Sequence, residues 1–282
     1  MPRHRVNAAI PDDVQQVESR PAMLDIEFAE VSDCGPVREH NEDFIGHSLP
    51  STPEQARSRG WIFVLADGVG GQERGEVASR LAVESVLAEH AKAAPGENHS
   101  TLLTRAVQAA NTKVYEAAHG GIATTLVACA LRFDRATIAH VGDSRCYLIR
   151  HGRPQLLTRD HTVINEQLRL GLFTDQDAKN AVTRNVLSRS IGINLFVAPE
   201  ISEHHVKPGD VLLLCSDGLH GALTNDKIAR LATSGVSLEN AAQQLISIAN
   251  QSDGGDNVSV QLIRVKDVEA VGMYRGRPYR LR

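Results

Sequence analysis

The sequence predicts an α+β fold in which two central antiparallel sheets lie face to face with helices on both outer sides, a four-layer α/β/β/α sandwich. Two observations predict it. Apolar strand segments follow one another through short turns such as Asp134-Arg135 and Gly152-Arg153, without the regular intervening helices that a parallel sheet needs. These segments also run from Ile26 to Val265 without a long linker, and the 42% apolar content is enough to fill one sizeable core. One domain over residues 25–266 is therefore expected.

Residues 1–24 show no hydrophobic period and contain Pro2, Pro11 and Pro21, so they read as a flexible extension. The first strand signal is Trp61–Ala66, followed by helical periods over Gly75–Lys92 and Thr101–Ala118, where Leu103, Val107, Ala110 and Val114 recur on one face. Strands are then predicted at Thr125–Phe133, Thr137–Val141 and Cys146–Arg150, with a further short one around Leu156-Leu157. A helix over Val163–Leu170 closes at Gly171, and strand Val211–Cys215 comes next. The last helix, Leu238–Asn250, has Ser237 placed to cap it. In the closing strand Val258–Val265, Val258, Val260 and Leu262 alternate with polar residues. Residues 267–282 form a basic tail with Arg275, Arg277, Arg280 and Arg282.

Composition excludes several classes. A formal charge of −4 argues against a strongly basic nucleic-acid binder, and the arginine-rich tail reads as a solvated end. Cys34, Cys129, Cys146 and Cys215 are far apart, so they read as reduced thiols and not as a zinc knuckle or disulfide framework. The first 23 residues have no apolar core of a secretory signal, and no run is long enough to span a bilayer. A cytoplasmic monomer is expected.

Chemistry is signalled by a recurring pattern, an apolar strand that ends in an aspartate beside a small residue. Trp61–Ala66 runs into Asp67-Gly68, Ile138–Val141 into Gly142-Asp143-Ser144, and Val211–Cys215 into Ser216-Asp217-Gly218. Asp256-Asn257 opens the final strand instead. Buried carboxylates are costly to desolvate unless a cation or donor meets them, and glycine beside the acid lets the backbone approach an ion. A single Asp-Gly is more often a plain turn. Four acidic strand ends together with Glu42-Asp43 weaken that reading, and an all-oxygen donor set favours Mg²⁺ or Mn²⁺ over zinc.

From Ile26 to Val265 the chain resembles the PP2C-type (PPM) serine/threonine protein phosphatases in their compact bacterial form. The resemblance rests on six segments in order: Ser32–Arg38 with Asn41-Glu42-Asp43, Ala66–Gly71, Ala123–Leu126, Val141–Arg145, Cys215–Gly218 and Gly255–Asn257. Each is weak alone, but their order is specific. The resemblance implies a PP2C-like sandwich and hydrolysis of phosphoserine and phosphothreonine by a metal-bridging hydroxide. It implies two Mn²⁺ or Mg²⁺ ions and a third, weaker one. Asp67 would bridge the two ions, Asp217 and Asp256 would bind one of them, and Glu42 with the Gly68 carbonyl the other. Asp43 would hold a bound water, Asp143 would serve the third ion, and Arg38 would grip the phosphate in a bidentate way. Phosphorylated proteins and an opposing bacterial Ser/Thr kinase are the implied partners, and residues 162–192 correspond to the family's flap beside the active site.

One departure matters. Many family members carry histidine directly after Asp-Gly as a proposed general acid, and here Val69 stands there. Water held by Asp43 or Asp143 is the preferred proton source, with His161 second; the plain reading of His161 is a residue fixing a turn. His140 has a spacing to Asp143 that invites a metal role, but its plain reading is a satisfied core or sheet histidine. Gly254-Gly255 reads either as room for a metal or as a simple turn. A pseudophosphatase would be marked by loss of Asp67, Asp217 or Asp256, and all three are present. A small-molecule phosphohydrolase would be favoured by a deep pocket.

Overall fold

A computed structural model describes residues 23–69, 74–118, 121–173, 186–269, 271–274 and 277–280. The expected extension therefore lies almost wholly outside the described residues, as do residues 174–185 of the expected flap. The chain begins with β1 (Asp25–Asp33), β2 (Asp43–Ser48), α1 (Pro53–Ser58), β3 (Trp61–Val69), α2 (Gly75–Ala91) and α3 (His99–Ala118). It continues through β4 (Ala123–Thr124), β5 (Leu126–Arg132), β6 (Arg135–Val141), β7 (Arg145–Arg150), β8 (Arg153–Leu156) and α4 (Val163–Arg169). After the flap come β9 (Glu200–His205), β10 (Val211–Cys215), α5 (Asp217–Ala222), α6 (Asn225–Ala232), α7 (Leu238–Ser252) and β11 (Val258–Asp267). A short hairpin, β12 (Val271–Tyr274) with β13 (Arg277–Arg280), occupies much of the segment that the sequence suggested was a solvated tail.

The strands form a five-stranded sheet in the order β1-β11-β10-β7-β8 and a six-stranded sheet in the order β2-β3-β5-β6-β9, with β4 paired to β3. Every strand pair among the described residues is antiparallel. Side chains alternate between faces along a strand, so each sheet needs two covers. Between the sheets, Phe63, Leu65, Val127 and Cys129 meet Cys146, Leu148, Leu212, Leu214 and Ile263. The opposite face of the six-stranded sheet packs Ile62, Val64 and Ala128 against Ala82, Val86, Leu103, Val107 and Val114 of α2 and α3. The outer face of the other sheet packs Leu213, Val260 and Leu262 against Leu219, Ile228 and Leu245 of α5, α6 and α7. The four-layer α/β/β/α expectation holds.

Local signals explain the helix ends. Ser237 Oγ accepts from the Asn240 amide at 3.3 Å, as its position suggested. Helix α3 starts earlier than its apolar period because Asn98 Oδ1 accepts from the Ser100 and Thr101 amides. Thr52 caps α1 with Pro53 in the first turn, where its missing N–H costs nothing. Strand β9 escaped the sequence reading because Glu-Ile-Ser-Glu-His-His has almost no apolar alternation; it is the edge strand beside β6. Three thiols are core residues, with burial pushing Cys129 up to about 12.

Candidate metal centre

Strands β2 and β3 place Asp43 and Asp67 directly opposite each other. The sequence reading ended the first apolar strand at Ala66, but β3 continues through Asp67 and Gly68 to Val69, because two partners hold it there. On one side Asp43 pairs with Asp67, and on the other Gly68 pairs with Thr124 of β4. At Asp67 the ladder is rewired through side chains: its N–H is accepted by Thr125 Oγ1 at 3.0 Å, and its carbonyl accepts from Thr125 N and Thr124 Oγ1, both at 2.8 Å. Thr125 Oγ1 in turn lies 2.6 Å from Ser144 Oγ, which follows Asp143.

The remaining acids arrive from the other layer and from the connection between layers. Asp143 sits in the turn from β6 to β7, Asp217 opens α5 directly after β10, and Asp256 lies just before β11. Ser216 occupies the N-cap position of α5 but makes no side-chain cap bond. Its hydroxyl is committed elsewhere, donating to Asp43 Oδ2 at 2.7 Å while accepting from Ser259 N at 3.0 Å. Thus a residue at the end of a central strand of one sheet fixes the carboxylate of the other.

The glycines beside the acids have a packing role that the sequence reading did not anticipate. A Cβ on Gly68 would collide with the backbone of Gly75, and one on Gly75 would lie 2.6 Å from Glu42 Oε1. Gly68 and Gly75 therefore bring β3 and the start of α2 together beneath the Glu42 carboxylate, and the Gly68 N–H donates to the Glu42 carbonyl at 3.1 Å. The pair Gly254-Gly255 is chiefly a turn: Gly254 has φ +66 and no room for a Cβ beside Asn250 O and Pro36.

Electrostatics of the cluster are those of acids lacking enough positive charge. Burial, then the charges of Asp43, Asp217, Asp143 and Asp256, push Asp67 well above the usual carboxylate range. Burial raises Asp43 to about 7 against the opposing effect of Ser259 and Ser216, and it raises Asp143 to about 7 with Asp217 adding to it. Asp217 is raised as well, by burial and by Asp256. Asp43 Oδ1 is buried with no hydrogen-bond partner among the described residues. An unpaired buried carboxylate oxygen in an all-oxygen cluster fits a hard divalent cation and the water that such ions retain.

Arg38 stands at the exposed rim, its Nη2 2.9 Å from Asp256 Oδ1 and its Nε donating to Gly255 O at 3.1 Å. The structure thus gathers every residue predicted for the site: Arg38, Glu42, Asp43, Asp67, Gly68, Asp143, Asp217 and Asp256. Val69 is partly exposed beside them and offers no proton.

The two histidines have other work. His161 is buried, accepts from Gly142 N at Nδ1 (3.2 Å) and meets Glu200 Oε2 at Nε2 (3.2 Å). His140 stacks on it at 4.4 Å and bonds Arg159 O through Nε2. Ligand-type atoms of His140, His161 and Glu200 lie within 4.8 Å of one another. A Gly142 N–H aimed at Nδ1 fixes the Nε2–H tautomer of His161, however, so its second nitrogen donates to Glu200 and has no lone pair for an ion. Burial and the neighbouring His140 lower His161 to about 4, which suits the turn-fixing role. Arg145 completes this support with a two-pronged bond to Asp160, at 2.9 and 2.6 Å.

Sequence reasoning missed the hydroxyl and amide residues that hold the acids: Ser216, Ser259, Ser144, Thr124, Thr125 and Asn257. Their signal was their place inside or beside each acidic motif, for example Ser216 in Cys215–Gly218.

An acidic, two-layered centre on an α/β/β/α sandwich suits a phosphate-ester hydrolase of the cation-dependent kind. Residues 29–258 match the family described as Protein phosphatase 2C, and the chain belongs to that family. Its relatives include a putative protein phosphatase 2C-type of Streptococcus pyogenes, 34% identical over 247 residues that cover 84% of this chain and 98% of the relative. Among solved structures, the S. agalactiae serine/threonine phosphatase superposes with a TM-score of 0.78 at 33% identity, covering 86% of this chain and 100% of that one. The catalytic domain of the serine/threonine protein phosphatase PstP, solved in complex with 2 manganese ions, gives a TM-score of 0.72 at 30% identity, covering 87% and 100%.

Proposed function

We propose that the chain is a metal-dependent serine/threonine phosphoprotein phosphatase. The observation that carries this reading is the convergence of Asp43, Asp67, Asp143, Asp217 and Asp256, with one buried Asp43 oxygen left without a partner among the described residues. Asp67, Asp217, Asp256, Glu42 and the Gly68 carbonyl would hold two Mn²⁺ or Mg²⁺ ions, and Asp143 would contribute to a third. Such ions supply a nucleophile from water at neutral pH and neutralise phosphate charge.

The residues of the chain do the rest. Arg38 at the rim binds phosphate oxygens with its planar fork and orients the ester. Ser216 holds Oδ2 of the Asp43 carboxylate, which would leave Oδ1 available to accept from a water of the centre. Water held by Asp43 or Asp143 would pass a proton toward the leaving serine or threonine oxygen, since Val69 carries none and His161 is bonded at both nitrogens. The substrate is a phosphorylated protein, opposed by a Ser/Thr kinase, and the setting is a cytoplasmic monomer. No described helix is long and apolar enough to cross a membrane.

The test is phosphate release from phosphoserine and phosphothreonine peptides with Mn²⁺ or Mg²⁺, with EDTA and Asp67→Ala as controls. Release that is lost under both controls supports the reading. Release that survives both, or a wild type inactive with every divalent ion, overturns it.

A further inference from the structure

Asn257 follows Asp256 and is only 4% exposed. Its amide is used in three directions at once. Oδ1 accepts from Glu42 N at 2.8 Å, and Nδ2 donates to Cys34 O and to His40 O, both at 2.9 Å. These partners lie more than 200 positions away in sequence, and they are the two ends of one loop, residues 34–42. Between those ends lies Arg38, and the loop finishes at Glu42.

Arg38 ties the same loop to the turn before β11, and helix α7 ties the end of β1 that leads into it. Arg38 reaches Gly255 O and Asp256, and Asn250 Nδ2 donates to Asp33 Oδ1 at 3.0 Å just ahead of the loop. Asn41 Nδ2 donates to Ser32 Oγ at 2.8 Å across the base of the loop and Cys34 Sγ approaches Arg38 O within it, while Asn257 is the buried side chain that holds both ends at once. An exposed arginine has many rotamers, and a guanidinium that grips phosphate is effective only if its backbone is held in place.

We propose that Asn257 is a positioning residue: it clasps loop 34–42 so that Arg38 and Glu42 are presented together against the aspartates. This rests on the roles of Arg38 and Glu42 in the phosphatase reading. The clasp demands an amide, because one acceptor and two donors are required at a single buried position. An aspartate of the same shape would set a carboxylate oxygen against the carbonyls of Cys34 and His40. Alanine would leave the Glu42 N–H and both carbonyls without partners. The consequence is a coupled loss, in which substrate binding through Arg38 and ion binding through Glu42 weaken together although Asn257 touches neither phosphate nor metal.

The test uses the full chain loaded with Mn²⁺ and the variants Asn257→Ala, Asn257→Asp and Arg38→Ala. Amide exchange at Glu42 and over residues 34–42 reads the clasp without reference to catalysis, and it should accelerate in Asn257→Ala. In both Asn257 variants KM for a phosphothreonine peptide and Ki for inorganic phosphate should rise roughly tenfold or more, with a parallel rise in the Mn²⁺ needed for half-activation. The double variant with Arg38→Ala should raise KM no further than Arg38→Ala alone. Unchanged exchange, or faster exchange with KM and Ki unaltered while Arg38→Ala raises both, overturns the proposal. If Arg38→Ala itself leaves KM and Ki unaltered, the phosphate-grip reading fails, and exchange at Glu42 with the Mn²⁺ requirement still decides the clasp. Should Asn257→Ala not fold, the near-isosteric Asn257→Asp carries the same readouts.

Discussion

Asp43 and Asp67 are direct cross-strand partners in β2 and β3, an arrangement that puts two carboxylates opposite each other on neighbouring antiparallel strands. Like charges in such a pair are destabilising, and burial makes the repulsion worse.

The first prediction concerns pH. Burial lifts Asp43 and Asp143 to about 7 in the folded chain, from the ordinary 3.8. A carboxyl whose folded value is raised favours the fold in its protonated form. That stability is complete below the unfolded value and is lost as pH rises through about 7. The metal-free chain should therefore melt at a lower temperature at pH 8 than at pH 5.5. Added Mn²⁺ should narrow or reverse the difference, because ions compete with protons for the same oxygens. Scanning calorimetry with and without EDTA checks both; a metal-free melting temperature that climbs from pH 5.5 to 8 would count against the cluster.

Ser216→Ala removes the donor to Asp43 Oδ2 and the acceptor of Ser259 N. Residues that orient ligating groups typically contribute roughly 10- to 100-fold in metal affinity or activity. A loss of that order is expected in kcat at limiting Mn²⁺, with little change in KM. A variant with wild-type metal dependence would remove Ser216 from this role.

Thr125→Val keeps the shape and strips the hydroxyl that accepts Asp67 N–H and meets Ser144 Oγ. Leaving a buried N–H unpaired costs about 1 to 3 kcal/mol. Urea denaturation should show a loss in that range, and activity should fall because the backbone beneath Asp67 is no longer pinned. Unchanged stability would mean that the ladder closes without the hydroxyl.

His161→Asn tests the proton question. The imidazole holds the Gly142 amide and Glu200, so its replacement should lower stability while the shape of the pH–rate profile stays that of the wild type. Disappearance of the alkaline limb of that profile would identify His161 as the general acid after all.

The aspartates were legible because each sits at a change in local pattern, where an apolar run meets a small residue. Helices α2, α3 and α7 were legible because apolar residues repeat at helical spacing, and α7 carries a serine cap. Strands β1 and β9 were not, since their sequences, Asp-Ile-Glu-Phe-Ala-Glu-Val-Ser-Asp and Glu-Ile-Ser-Glu-His-His, are polar or irregular and they lie at sheet edges. Helix α6 is only eight residues long and was passed over although Ile228, Ala229 and Ala232 share its buried face. The supporting residues were hidden for a different reason. Thr125 is 58 positions from Asp67, Ser216 is 173 from Asp43, and Asn257 is 215 from Glu42. A hydroxyl or amide has no local signature of a partner so remote.

Asp43 and Asp67 belong to one sheet, whereas Asp217 and Asp256 flank β10 and β11 of the other, and the core of Phe63, Leu65, Leu214 and Ile263 lies between the sheets. Cations shared by these acids would act as rivets through the sandwich, reinforcing an apolar contact that Ser216 and Asn257 already bridge with hydrogen bonds. The chain could then form its centre only after the layers have met. Half-assembled forms would have no competence to strip phosphate from whatever they encounter.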